Sequence, residues 1–225
     1  MINQQVRNPV QHLQQENSRL REENRQLTAA HQALNATLDA LLTLHEVAAS
    51  ITPATDVHGL LDRILDVSLQ SIGASDGSLI LVDEDTSELV FVVVHGRVRD
   101  ELTGYRIPVG TGIAGWVAKH NEPVIVPNVN LDPRFSQTVD SDVDFQTRSI
   151  LCVPLQGQGR QNIMGVIQAI NKDNGQEFNH EDLSLLRLVA DLAARAMTTA
   201  EEMYATVDIN EANDAEHIDS DTPTA

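Results

Sequence analysis

Cysteine is almost absent from this chain: Cys152 stands alone among 225 residues. That excludes a cysteine-rich zinc site. Its setting, SILCVPL, reads as a buried strand with nothing nearby to lower a thiol pKa, so its expected role is a small buried hydrophobe. Long apolar runs are missing too. None approaches the roughly twenty residues needed to cross a bilayer, and the polar N-terminus lacks the apolar core of a signal peptide, so a cytoplasmic location is expected. Basic residues are few. Fifteen Lys and Arg face 33 Asp and Glu, a formal net charge of -18, which argues against nucleic acid and membrane as partners. The eight histidines show no metal spacing, and no Ser-His-Asp order or pair of carboxylates in an apolar setting offers a catalytic centre. Neither a metal site nor an enzyme is expected.

Leucine, by contrast, recurs every seventh residue at Leu13, Leu20, Leu27, Leu34 and Leu41, with Val6 one step earlier. That spacing is a coiled-coil seam. With the leucines at d, the a positions are Val10, Asn17, Asn24, His31, Leu38 and His45. Asn17 and Asn24 weaken the seam but fix its register, and Glu16 at g can reach Arg21 at e of a mate. Residues 1–40 are therefore expected to form a parallel coiled-coil helix that makes a homodimer. No helix breaker separates the coil from the helix that Pro53 ends.

Thr55 or Asp56 can cap a further helix, with Val57, Leu60, Leu61, Ile64, Leu65 and Ile72 on one face and Gly73 closing it. Gly77 to Val82 and Leu89 to His95 flank an acidic turn and read as an antiparallel hairpin. Ser149 to Leu155 and Ile163 to Asn171 read as a second, at the centre of the sheet. A last helix opens at Asn179 or His180 and turns Leu183, Leu186, Val189, Ala193 and Met197 inward. Residues 205–225 are small, polar and acidic, and a disordered tail is expected there.

Between the hairpins, Ile107 to Phe135 reads IPVGTGIAGWVAKHNEPVIVPNVNLDPRF. Gly110, Gly112 and Gly115 permit a tight turn before about two turns of helix. Pro123 and Pro127 bracket Val124 to Val126, which should be a short strand near an edge. The glycines match a dinucleotide fingerprint, but the preceding strand is short, the helix is brief and the upstream elements are antiparallel, so the match is read as accidental. The loop Asn128 to Thr147 has the length of a lid or binding segment.

The segments GTGIAGWVAKHNEPVIVPNVNLDPRF, TRSILCVPL and GVIQAINK, in that order, closely resemble a GAF domain, the small-molecule sensor module of phosphodiesterases, phytochromes and bacterial signalling proteins. The resemblance covers residues 41–204 and implies an α+β fold, an antiparallel β-sheet with helices on both faces. NKDNGQEFNHED is similar to the signature of cyclic-nucleotide-binding GAF domains at Asn171, Lys172, Phe178 and Asp182, but Leu183 stands where the family has an acid. The family pattern implies a structural salt bridge between Lys172 and Asp182.

By the same resemblance, a ligand would lie between one sheet face and the loops above it. The residues placed there are Ser78 and Ile80, then Gly112, Ile113 and Trp116, then Val129 and Phe135, then Thr147 and Ser149, and Gln168. This set suits a small neutral or weakly polar ligand, with backbone N–H groups at a helix start that could hold an anion. No covalent bilin is expected, because attachment needs a suitably placed cysteine. The expected function is a dimeric, non-catalytic sensor that passes occupancy through its coil to a separate signalling protein in trans. A ligand-free adaptor is the first alternative, and an enzyme of the free-methionine-sulfoxide-reductase kind, which would need Cys152 exposed, is the second.

Overall fold

The chain divides into two units, Met1–Ala40 and Leu41–Ala225. The computed structural model describes residues 11–25, 27–28, 56–157, 163–173 and 175–218, with side chains to residue 202. In the first unit, residues 11–25 form helix α1, and residues 27 and 28 are also helical. No side chain there is buried. Leu13, Leu20 and Leu27 are 67%, 53% and 65% exposed, leaving an apolar stripe at heptad spacing open to a partner. Within the helix, ion pairs Arg25–Glu22 at 2.8 Å and Arg19–Glu16 at 4.0 Å contribute only about 0.2–0.5 kcal/mol each. Asn17 and Asn24 are exposed, whereas Leu34 and Leu41 lie outside the described residues.

In the second unit, six strands form one sheet: β1 (Ala74–Asp83), β2 (Glu88–His95), β3 (Arg106–Pro108), β4 (Val124–Val126), β5 (Ile150–Leu155) and β6 (Gly165–Lys172). Their order is β3-β2-β1-β6-β5-β4, and every neighbouring pair is antiparallel. The two three-residue strands take the edges, as Pro108 and the Pro123/Pro127 bracket require. β6 lies at the centre beside β1, while β5 stands one place from the edge.

Helices α2 (Val57–Ile72) and α6 (His180–Ile218) cover one face. Asp56 is the N-cap of α2, and Gly73 ends it in the left-handed region at φ 67°. Leu61, Ile64, Leu65 and Leu69 from α2 pack with Leu186, Val189, Ala190 and Ala193 from α6 over Leu79, Val153 and Ile167 of the sheet. Each fully buried aliphatic side chain there contributes about 1.5–3 kcal/mol. The small alanines let α6 approach closely. That helix continues to Ile218, so residues 205–218 are helical rather than disordered; alanines and glutamates favour helix, and no glycine or proline interrupts them. Residues 219–225 lie outside the described residues.

The other face carries α3 (Arg99–Leu102), α4 (Gly112–His120), a 3-10 turn (Val129–Leu131) and α5 (Thr138–Asp142). Among the described residues no helix is long and apolar enough to cross a membrane.

Candidate functional site

A cavity of about 190 Å³ opens on this second face. Its floor comes from β1, β2 and β6. Ser78 and Gln168 are opposite each other across β1 and β6, and the buried Gln168 Nε2 donates to Ser78 Oγ at 2.8 Å. The pair puts one satisfied polar patch into an apolar floor, where an unmatched group would cost more than a kilocalorie.

A bulge in β2 shapes the rest of the floor. Leu79 pairs with Val93 but Ile80 pairs with Phe91, so Val92 is an extra residue. Side chains alternate faces along a regular strand, and one extra residue shifts that alternation. Phe91 and Val94 consequently both line the cavity, while Val93 packs into the core beneath α2 and α6. His58 of α2 places Nε2 3.2 Å from the Val92 carbonyl oxygen, tying the bulge to that helix.

The glycine turn forms one wall. Gly110 and Gly112 take φ of 93° and 68°, and a Cβ on Gly115 would stand 2.8 Å from the Gly110 nitrogen. That close packing starts α4 beside the cavity, where Thr111, Gly112, Ile113 and Ala114 line it.

Helix α5 closes the site as a lid, held by carboxylates at two points. Asp140 accepts the Thr147 N–H at 2.8 Å and its hydroxyl at 2.6 Å. Asp142 accepts the phenol of Tyr105, and this bond to a carboxylate raises the Tyr105 pKa above its ordinary value. Asn171 secures the chain leaving the lid. Its Oδ1 accepts the N–H groups of Arg148 at 2.7 Å and Ser149 at 3.3 Å, and its Nδ2 donates to the Gln146 carbonyl at 2.9 Å.

The Lys172–Asp182 pair lies on the far side of β6. Lys172 Nζ stands 2.6 Å from Asp182 Oδ2, with both side chains 11% exposed. That same oxygen accepts the Asn179 N–H at 2.9 Å. Asn179 Oδ1 in turn accepts the N–H groups of Glu181 at 2.8 Å and Asp182 at 2.9 Å. This is a reciprocal cap on α6, joined by the lysine to the end of β6.

Of the ten residues proposed from the sequence, Ser78, Gly112, Ile113, Phe135, Thr147 and Gln168 line the cavity. Four do not. Ile80 and Val129 are filled-in core at 0% and 1% exposure, and Ser149 is buried where β5 begins, its carbonyl accepting the Asn171 N–H. Trp116 is outside the lining: its ring stacks on His120 at 4.4 Å, and the Arg134 guanidinium carbon lies 4.5 Å from its centre. Arg134 is fixed by two bonds to Asp132 at 2.9 and 2.6 Å, which hold that carboxyl below its usual range. Sequence reasoning missed Asp76, Phe91, Val94, Tyr105, Asp140 and Phe145, all of which line the cavity. For Phe91 and Val94 strict alternation points to opposite faces, and only the bulge brings them together.

Cys152 is completely buried, opposite Gln168 in the β5–β6 ladder. Burial pushes its thiol pKa well up.

Residues 56–197 match the family model described as GAF domain. Over 97 residues the chain is 37% identical to the dual 3',5'-cyclic-AMP and -GMP phosphodiesterase 11A of Takifugu rubripes, a stretch that covers 43% of this chain and 11% of that relative. The chain thus spans a small part of that protein. Among solved structures, the GAF domain of a phosphoenolpyruvate-protein phosphotransferase from Coxiella burnetii is similar with a TM-score of 0.66 at 19% identity, covering 77% of this chain and 98% of that one. Free methionine-R-sulfoxide reductase from Neisseria meningitidis is similar with a TM-score of 0.61 at 24% identity, covering 74% and 90%. At such identities these two structures speak for the fold alone.

Proposed function

The chain belongs to the GAF domain family of regulatory sensor modules, and on that premise we propose that it is a non-catalytic sensor which binds a small molecule between the sheet and α5. The observation that carries the reading is the lidded cavity, with the Ser78–Gln168 pair on its floor and the Asp140–Thr147 contact closing its rim. A collapsed adaptor would fill this space with side chains. Occupancy alters the lid, and the exposed leucine stripe of α1 pairs two copies, so the signal reaches a separate partner through a dimer.

Native mass spectrometry of the freshly purified protein tests this directly. The expected result is a dimer carrying extra small-molecule mass, and denaturation releases that ligand for identification. A bare chain that a panel of metabolites and cyclic nucleotides also fails to stabilise would leave the adaptor standing instead.

Reductase chemistry needs an accessible thiolate, and the buried, pKa-raised Cys152 does not provide one. A thiol reagent is expected to label Cys152 only after unfolding. Rapid labelling of the native protein would reopen the enzymatic reading.

A further inference from the structure

Aromatic residues make up 3% of the chain, yet they gather at the cavity. Phe91, Tyr105, Phe135 and Phe145 line it, four of the seven aromatic residues present. Phe91 and Tyr105 meet edge to face, with centroids 6.2 Å and planes 83° apart, so they form a concave corner rather than a flat platform. Ring faces carry partial negative charge and attract cations. One cation already uses this property at the rim: the Arg97 guanidinium carbon lies 5.6 Å from the centre of Phe145.

The charges of the lining point the same way. One cationic side chain, Arg106, reaches the cavity lining, which His95 also joins, and carboxylates beyond that lining stand against both. Arg106 pairs with Asp83 at 2.8 Å and Glu88 at 3.1 Å, and His95 stands 3.1 Å from Asp62. The lining carboxylates have no such counterparts among the described residues. Asp140 accepts the neutral donors of Thr147, and Asp76 Oδ1 accepts only the Arg97 N–H at 3.3 Å. Apart from Arg97, whose guanidinium faces Phe145, what remains is an aromatic wall and two carboxylates without an ion-pair partner among the described residues, in a chain whose formal net charge is -18.

We propose that the cavity takes a small organic cation, an ammonium compound of about choline's size, held by the aromatic walls and by Asp76. The proposal rests on the sensor reading above and replaces the neutral ligand suggested by the sequence. Aromatic faces with a carboxylate discriminate an ammonium from a neutral group of the same shape, because only the charged group gains from both. The Ser78–Gln168 pair gives a ligand hydroxyl something to bond.

Titration calorimetry on the full chain provides the test, comparing choline with 3,3-dimethylbutan-1-ol, which keeps the shape and replaces the charged nitrogen by carbon. Choline is expected to bind at least about tenfold more tightly, and Asp76→Asn and Phe91→Leu should each narrow that preference. Asparagine keeps an oxygen for the Arg97 N–H, and the comparison on the unaltered chain needs no variant at all. Equal affinity for the two compounds overturns the proposal. So does a neutral or anionic molecule occupying the purified protein while choline fails to bind, and that outcome leaves the sensor reading intact. A bare protein that binds neither compound, nor anything from the metabolite and cyclic-nucleotide panel, removes both.

Discussion

At the scale of single residues, one carboxylate at Asp182 has two tasks: it neutralises Lys172 and accepts the Asn179 N–H at the start of α6. Removing it strands a nearly buried ammonium and uncaps a helix together. Asp182→Ala is expected to cost about 3 kcal/mol in urea denaturation. Lys172→Met should cost about 1 kcal/mol, since the carboxylate then still caps the helix. Cys152 has a different signature. Its folded pKa is raised by burial, so above the unfolded value of about 8.5 the unfolded chain releases a proton that the folded chain keeps. Stability therefore falls as pH rises, by up to about 1.4 kcal/mol per unit. Between about pH 8.5 and pH 9.5, below the ordinary tyrosine pKa of about 10, this slope should be present in the unaltered protein and largely absent in Cys152→Ala. Some residue roles were legible in the chain itself. Lys172 with Asp182 followed from a motif, and Cys152 from its apolar neighbours. Trp116 was misplaced because a half-apolar aromatic on a short helix suits a cavity wall and an outer stack equally well, and only the position of Arg134 separates them.

Among the elements, α5 depends on two contacts made by its own carboxylates. Its backbone is five residues long, too short to be stable as an isolated helix. Tyr105→Phe removes the partner of Asp142 while retaining the ring, and amide exchange across residues 138–147 is expected to quicken several-fold. Unchanged exchange would mean that the Asp140–Thr147 contact alone closes the lid. The sheet was readable because alternating strands and their bounding turns are local signals, and the edges followed from proline. The helical lid was not. Thr138 to Asp142 carries no apolar period, and its conformation comes from Tyr105, Thr147 and the chain exit fixed by Asn171. The bulge was hidden for a related reason: Val92, Val93 and Val94 are identical in sequence, so nothing local says which one is the extra residue.

For the molecule as a whole, the leucine stripe of α1 is an exposed apolar surface that assembly would cover; among the described residues Leu131 and Leu188 are exposed as well. Leu13→Glu with Leu20→Glu should give a monomer in sedimentation equilibrium while leaving the thermal transition of residues 56–197 in place. A persistent dimer would move the interface elsewhere. The whole-chain charge of -18 bears on association as well, since it draws small cations toward the surface and repels anions until salt screens it. Finally, the chain has one tryptophan, in contact with both His120 and Arg134, and the residue after Arg134 is Phe135 in the cavity wall. The protein thus carries its own optical probe. A ligand that shifts Phe135 alters the polarity and charge next to a single indole, so native emission excited beyond tyrosine absorption registers movement of the cavity wall without a label.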